Sequence, residues 1–323
     1  MQTLSRRSLL AGPIAIAFAS VPAQAQDNTL RIVFPFAAGG SGDAVIRIIA
    51  EELQKNLGVS VIVENKAGAG GRIGAVAVKN SPRTGLTLLF GGTSHVAIQP
   101  HIYANIGFDP LIDFVPISQS VTFDLGLAVT GKIPVRSIPE LLAWLKANPD
   151  QASYGSPGTG SLPFFVGAEF SRLIGQKLSH VAYRGTSAAL PDLLSGRIPL
   201  YIAGAGELVE QHRNGGLRVV GVTAESRTNL LPDVPTLKES GIELTANSWF
   251  AFYAPAGTPP DIVDGLEHRI IAATQASQVR AKILALGYEP IGGTSDALRA
   301  LQKVEFERWG RIIRASGFKA DTQ

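Results

Sequence analysis

Residues 30–58 read LRIVFPFAAGGSGDAVIRIIAEELQKNLG, and this stretch decides the fold. Leu30–Phe34 is short, apolar and β-branched, the composition of a buried strand. Pro35 and Phe36 turn the chain into Ala37-Ala38-Gly39-Gly40, a loop whose backbone amides no bulky side chain covers. Ser41 is placed to cap a helix that carries Asp43 in its first turn. Val45, Ile46, Ile49, Leu53 and Leu57 then share one helical face until Gly58 ends the helix. A strand, an amide-rich turn and a helix N-terminus together make an anion site. Free N–H groups and the positive end of the helix dipole both favour a carboxylate or phosphate.

The same unit recurs along the chain. Residues 60–64 form a second strand, residues 65–71 a glycine loop and residues 73–80 a short helix. A third strand, 86–90, runs into Gly91-Gly92-Thr93-Ser94-His95. Strands alternating with helices predict a mostly parallel sheet, which binds ligands at the carboxyl ends of its strands. The 36–41 and 93–95 segments both lie at such ends. Two further strands are expected at 114–118 and 125–129, followed by a helix at 139–147. Strand 152–155 then enters Ser156-Pro157-Gly158-Thr159-Gly160-Ser161 and a helix at 162–174, repeating the opening logic with hydroxyls added. Later strands end in Arg184-Gly185-Thr186-Ser187 and in Ala203-Gly204-Ala205-Gly206. An aromatic strand at 248–253 and helices at 261–273 and 296–315 complete the chain. Two sheets, each carrying a glycine-hydroxyl loop, predict a cleft between two α/β domains that closes by hinge motion.

Length and composition agree. The 323 residues suffice for two ordinary domains, and 45% hydrophobic with 17% charged residues is globular. Residues 1–25 read as a signal peptide: Arg6 and Arg7 form a twin-arginine pattern, a small apolar run follows, and Ala23-Gln24-Ala25 is a cleavage site. A Sec signal that carries two arginines is the other reading, and either exports the protein. Later segments fall short of the roughly 20 apolar residues of a spanning helix, so the mature protein is expected to be soluble. With no Cys, neither a lipid-anchored Cys nor a disulfide is possible. Removing Arg6 and Arg7 from the 29 basic residues leaves 27 against 26 acidic ones, scattered without a stripe, so no nucleic-acid partner is expected.

Other classes fail on spacing. Gly40-Ser41-Gly42 with Glu64 imitates a dinucleotide fingerprint, but Val45 stands where the third glycine belongs. No Walker lysine follows these glycines. An exported hydrolase lacks its elbow, because Gly155-Ser156-Pro157-Gly158 is not G-x-S-x-G, and the five His residues show no metal-ligand spacing. No enzyme, cofactor or metal is expected.

Several ordered motifs carry a family resemblance. They are Val33-Phe-Pro-Phe-Ala-Ala-Gly-Gly40 with Asp43, Val63-Glu-Asn-Lys-Ala-Gly-Ala-Gly-Gly71 with Ile73-Gly74, and Ser156-Pro-Gly-Thr-Gly-Ser161. Ala182-Tyr-Arg-Gly185, Leu231-Pro-Asp-Val-Pro-Thr236, Ser248-Trp-Phe250 and Ala254-Pro-Ala-Gly-Thr-Pro259 complete the set. Over essentially the whole mature chain the sequence resembles the periplasmic solute-binding proteins of tripartite tricarboxylate transporters, the Bug family. The resemblance implies a type II periplasmic-binding-protein fold, a Venus flytrap with domain one at 27–126 plus 248–323 and domain two at 127–247. It implies a monomer that holds a small carboxylate and docks to the membrane subunits of such a transporter; a sensing receptor without a transport role would bind alike. Phe36, Ala38, Gly39, Ser41, Thr93, Ser94, Ser156, Gly158, Thr159, Gly160 and Ser161 are the ligand-contact positions so implied.

The residues themselves add Ala37 and Gly40 from the first loop, Gly204 and Ala205 at a strand end, and Tyr183 at the rim, where Arg184 is either rim or surface charge. Asp43 either reads a ligand amine or hydroxyl, or simply complements the helix dipole. His95 either donates to a carboxylate or is a satisfied loop residue. Phe36 is expected to stack on the ligand, whereas Trp249 and Phe250 belong to core or hinge. Phe164, Pro199 and Ala203-Gly204 stand where the family often has His, Asp and Asp-Asn. That change predicts a less polar domain-two wall and an aromatic or apolar-bodied carboxylate.

Overall fold

The computed structural model describes residues 28–320, so the expected signal segment lies outside the described residues. The chain runs β1 (Leu30–Phe34), α1 (Ser41–Leu57), β2 (Val61–Asn65), α2 (Arg72–Lys79) and β3 (Thr87–Gly92). A wide helical turn at Ser94–Ile98 leads into α3 (Gln99–Ile102), β4 (Phe114–Thr130) and α4 (Ile138–Ala147). β5 (Ser153–Ser156), α5 (Leu162–Leu173), β6 (Ser179–Ala182), α6 (Thr186–Ser195), β7 (Leu200–Gly204), α7 (Ala205–Arg213) and β8 (Leu217–Val222) follow. β9 (Asn247–Pro255), α8 (Pro260–Gln275), α9 (Ser277–Ala285), β10 (Glu289–Gly293) and α10 (Ser295–Ser316) complete it.

The strands lie in the order β2-β1-β3-β9-β4-β7-β5-β6, with β8 and β10 also paired to β4. The outer wings are parallel, β1 with β2 and β3, and β5 with β6 and β7. The central strands are antiparallel, so the α/β sheets are mixed. β4 joins them. Its residues up to Asp124 pair with β9, and from Leu125 onward it pairs with β7 and β8. The return crossing lies where the Ala246 amide donates to Thr223 and Asn247 comes into register with Asp124.

Burial explains the elements. Val45, Ile46, Ile49 and Leu53 of α1 are fully buried against Leu30, Ile32, Phe34, Phe90 and Phe252. Each such side chain contributes about 2 kcal/mol by leaving water. Gly58 takes the left-handed conformation (φ 64°) and returns its amide to Gln54, ending α1 as its position in the sequence predicts. A second core under α6 and α7 gathers Leu193, Tyr201, Ala203 and Leu208.

Three expectations change. The two strands predicted at 114–118 and 125–129 are one 17-residue strand, because Gln119 to Asp124, polar in sequence, pair with β9 and β10. α7, α9 and β10 were not foreseen. Ser41 is not the cap of α1; Gly40 takes that position and the Ser41 hydroxyl meets the Tyr288 hydroxyl at 2.7 Å. Among the described residues no helix is long and apolar enough to cross a membrane.

Candidate functional site

The first wall grows from the carboxyl end of β1. Ala37, Ala38, Gly39 and Gly40 are exposed, and Gly39 needs its positive φ of 88° to make the turn. The first helical bond runs from the Ala44 amide to Gly40, so the amides of Ser41, Gly42 and Asp43 have no acceptor within the helix. Gly42 lets α1 sit close. A Cβ there would stand 2.9 Å from ring carbons of Phe34 and Phe250. Phe36 is half-buried in the same nest, 5.2 Å from the Phe34 ring, 5.1 Å from His95 and 6.1 Å from Phe250.

Asp43 is buried and turned inward. Its carboxylate accepts from the Gly39 amide (3.1 Å), Arg47 (2.9 Å) and Asn65 (2.8 Å). Burial alone would raise its pKa, but the bonds from Arg47, Asn65 and Gly39 outweigh that and hold it below the ordinary carboxylate value. Asn65 also donates to the Phe36 carbonyl at 3.2 Å, so the loop is fixed from beneath. Bracing the loop is a role that neither of the two readings of Asp43 foresaw.

Thr93 and His95 are fully buried, while Ser94 is partly exposed. The Thr93 hydroxyl accepts from Ser248 and from the Trp249 amide, tying β3 to the return crossing. His95 lies under the 70–71 backbone, and burial lowers its pKa to about 4, leaving a neutral ring.

The second wall grows from β5. Ser161 caps α5, accepting from the Phe164 amide at 3.3 Å and donating to the Gly158 carbonyl at 2.7 Å. Ser156 is fully buried, with its hydroxyl 2.8 Å from His180 Nε2. Burial holds His180 at about 4. Phe164 packs over His180 at 4.7 Å and against Phe318 at 4.8 Å. Gly160 is tight against α3: its Cβ would come 2.7 Å from Ile102 Cδ1. Exposed Thr159 therefore faces the 69–72 loop. With Ala69, Gly70, Arg72 and Tyr103 it lines a cavity of about 510 Å³. Arg72 stacks over Tyr103 at 4.0 Å and puts a cation at this end.

A third junction, β7 to α7, closes the other end. Gly204 and Ala205 are buried, but Glu207 in the first turn of α7 is exposed, and its carboxylate accepts a hydrogen bond from the Thr186 hydroxyl. Tyr201 donates to Thr186 at 3.3 Å, and the Ser41 hydroxyl of the first wall also interacts with Glu207. Protein crowding raises the Glu207 pKa above its ordinary value, partly offset by the bonds from Thr186 and Ser41. Tyr183 is half-buried and donates to Asp192 at 2.9 Å, while Arg184 is exposed. Sequence reasoning missed Glu207; its position directly after Gly204-Ala205-Gly206 at the end of β7 was the signal. The wall expected to be apolar therefore carries an acid. Ala203, the position read as a lost polar contact, is fully buried in the core.

A family model for the "Tripartite tricarboxylate transporter family receptor" matches residues 45–318. Among curated relatives, Protein BugT of Bordetella pertussis is 33% identical over 313 residues, covering 95% of this chain and 96% of that protein. Among solved structures, the periplasmic binding protein BugD is 31% identical with a TM-score of 0.83, over 91% of this chain and 99% of that one. An R. palustris protein solved with adipate is 29% identical with a TM-score of 0.85, over 90% of this chain and 98% of that one.

Proposed function

This chain belongs to the tripartite tricarboxylate transporter receptor family of periplasmic solute-binding proteins, and we propose that it captures a small organic carboxylate in its interdomain cleft. The observation that carries the reading is the exposed 37–40 turn beside three first-turn amides of α1 that lack helical acceptors. Burying an ionised carboxylate is prohibitive unless such preorganised donors meet it. Thr159 and the Ser161-capped helix supply donors from the opposite wall. The related R. palustris structure with adipate supports the same ligand class.

The captured acid is destined for uptake through the membrane subunits of a tripartite transporter, and the protein acts in the periplasm after loss of residues 1–25. The change of β4 partners at Asp124 and Leu125 supports domain limits at 27–126 plus 248–323 and at 127–247.

Thermal-shift measurements on the mature protein with mono-, di- and tricarboxylates test the reading. A carboxylate at 100 times its dissociation constant adds about 2.7 kcal/mol of stability. Thr159→Ala should weaken that acid about tenfold and leave the melting of the free protein unchanged, because the side chain is exposed. Unchanged affinity in the variant removes the second loop from the site.

A further inference from the structure

We infer that the tail after α10, residues 317–320, is a strap that ties α5 to α3, and that Phe318 is the positioning residue through which it holds the second wall of the site in place. The inference rests on the carboxylate-receptor reading above and says what keeps the two walls of that site together.

α10 stops at Gly317, whose left-handed backbone (φ 67°) favours glycine and turns the chain off the helix axis. The Ser316 hydroxyl accepts from the Phe318 amide at 3.2 Å and fixes that turn. Phe318 does not trail into water. It is half-buried, with its ring 4.8 Å from Phe164 and 5.4 Å from Phe165 of α5, the second contact T-shaped at 86°. Two residues on, the Ala320 amide donates to the Ile102 carbonyl at 2.9 Å. That carbonyl lies in the last turn of α3, where helical donors run out. One short segment is thus fastened at both ends, by aromatic rings to α5 and by a backbone hydrogen bond to α3.

The strap bears on the loop proposed to meet the ligand. Phe164, under the Phe318 ring, gives its amide to the Ser161 cap at 3.3 Å. Its own ring covers His180 at 4.7 Å, and His180 meets the Ser156 hydroxyl at 2.8 Å. Both ends of the 156–161 loop therefore rest on the residue that Phe318 packs against. The same loop also touches α3 directly, since a Gly160 Cβ would come 2.7 Å from Ile102 Cδ1. Tail and loop converge on Ile102, the tail at its carbonyl and the loop at its side chain. The tail also walls the cavity there, where Phe318, Lys319 and Ala320 join Arg72 and Thr159. Aromatic pairs add to simple area burial, and these contacts are lost when α5 moves away from α3. A segment that bonds both walls only when they are together shifts the population towards that arrangement and slows the escape of a ligand held between them.

The chain has no Cys, so spin labels on Lys177→Cys, just past α5, and on Asn80→Cys, at the end of α2, read the separation of the two sides; both positions are exposed. In the free mature protein Phe318→Ala should lengthen and broaden the label distances, and Phe318→Leu, which keeps apolar volume, should recover part of the change. Ala320→Pro removes the amide and leaves the ring, and should give a smaller lengthening. Lys319→Ala changes only a charge beside the same cavity and should leave the distances as they are. Succinate, adipate and citrate serve as ligand probes in stopped-flow binding. For any that binds, Phe318→Ala should speed dissociation about tenfold and alter association far less. Label distances in Phe318→Ala that coincide with those of the unsubstituted chain, or an unchanged dissociation rate, overturn the inference and leave the carboxylate reading intact. Binding by none of the three acids, with distances that still respond to Phe318→Ala, supports the strap and counts against the carboxylate reading alone.

Discussion

The Asp43 carboxylate accepts a hydrogen bond from the Gly39 amide at 3.1 Å, so the helix that follows the anion loop also holds that loop in shape. The same carboxylate bonds Arg47 and Asn65, and Asn65 reaches the Phe36 carbonyl. An acid at the start of the helix is here a brace. Asp43→Ala leaves three donors unmatched and should cost about 2–3 kcal/mol in chemical denaturation. The folded pKa lies below the ordinary 3.8. Its contribution is therefore complete above 3.8 and is lost as the pH falls through the lower folded value. A variant as stable as the wild type at neutral pH would refute the bracing role.

Asp124 sits where β4 passes from one sheet to the other, and burial raises its carboxyl from 3.8 to about 6. The folded state binds this proton more tightly than the unfolded one. Stability from it is present below 3.8 and is lost as the pH rises through about 6. Asp124→Asn should therefore stabilise the protein at neutral pH by up to about 3 kcal/mol, with the gain vanishing near pH 4. Urea unfolding at the two pH values reads this directly, and a gain independent of pH would contradict it.

His95 and His180 both have pKa values lowered to about 4 by burial, from an ordinary 6.5. Folding is then fully supported above 6.5 and weakens as the pH falls from 6.5 towards 4, because the unfolded chain takes up protons first. Their ring resonances in NMR should stay unshifted from about pH 7 to about pH 5. A midpoint near 6.5 for either ring would show that its burial is not maintained in solution.

Gly206, at the start of α7, packs against the backbone of Leu286 and Gly287 between α9 and β10. A Cβ on it would strike the Leu286 carbonyl and stand 3.2 Å from Gly287 Cα. Both partners are backbone, so neither can swing away. Gly206→Ala should force the domains apart at this contact, seen as a larger radius of gyration by small-angle scattering and weaker binding of any acid. Identical scattering and affinity would mean that the contact does not limit closure.

The parts of this architecture set by local pattern were legible in the sequence. The buried face of α1, its stop at Gly58 and the exposed 37–40 turn follow from spacing and glycine placement alone. The parts decided by distant partners were not. Ser156 is expected at the ligand, and nothing local announces His180, 24 residues on, whose ring its buried hydroxyl meets. Ser41 looked like a cap because nothing local announces Tyr288, 247 residues on. The polar run in β4 looked like a break because its partner strands come from the far end of the chain. Nothing local to Glu207 announces that the Ser41 hydroxyl of α1, far back in the chain, approaches its carboxylate.

The most direct test of carboxylate capture is a calorimetric titration of the mature protein with the best-binding acid and, in parallel, with that acid's methyl ester. The ester keeps the body and removes the charge that the α1 amides and the 156–161 loop are arranged to meet. Recognition of the carboxylate predicts that the acid binds and the ester binds at least about a hundredfold more weakly. Equal affinity for acid and ester would contradict it.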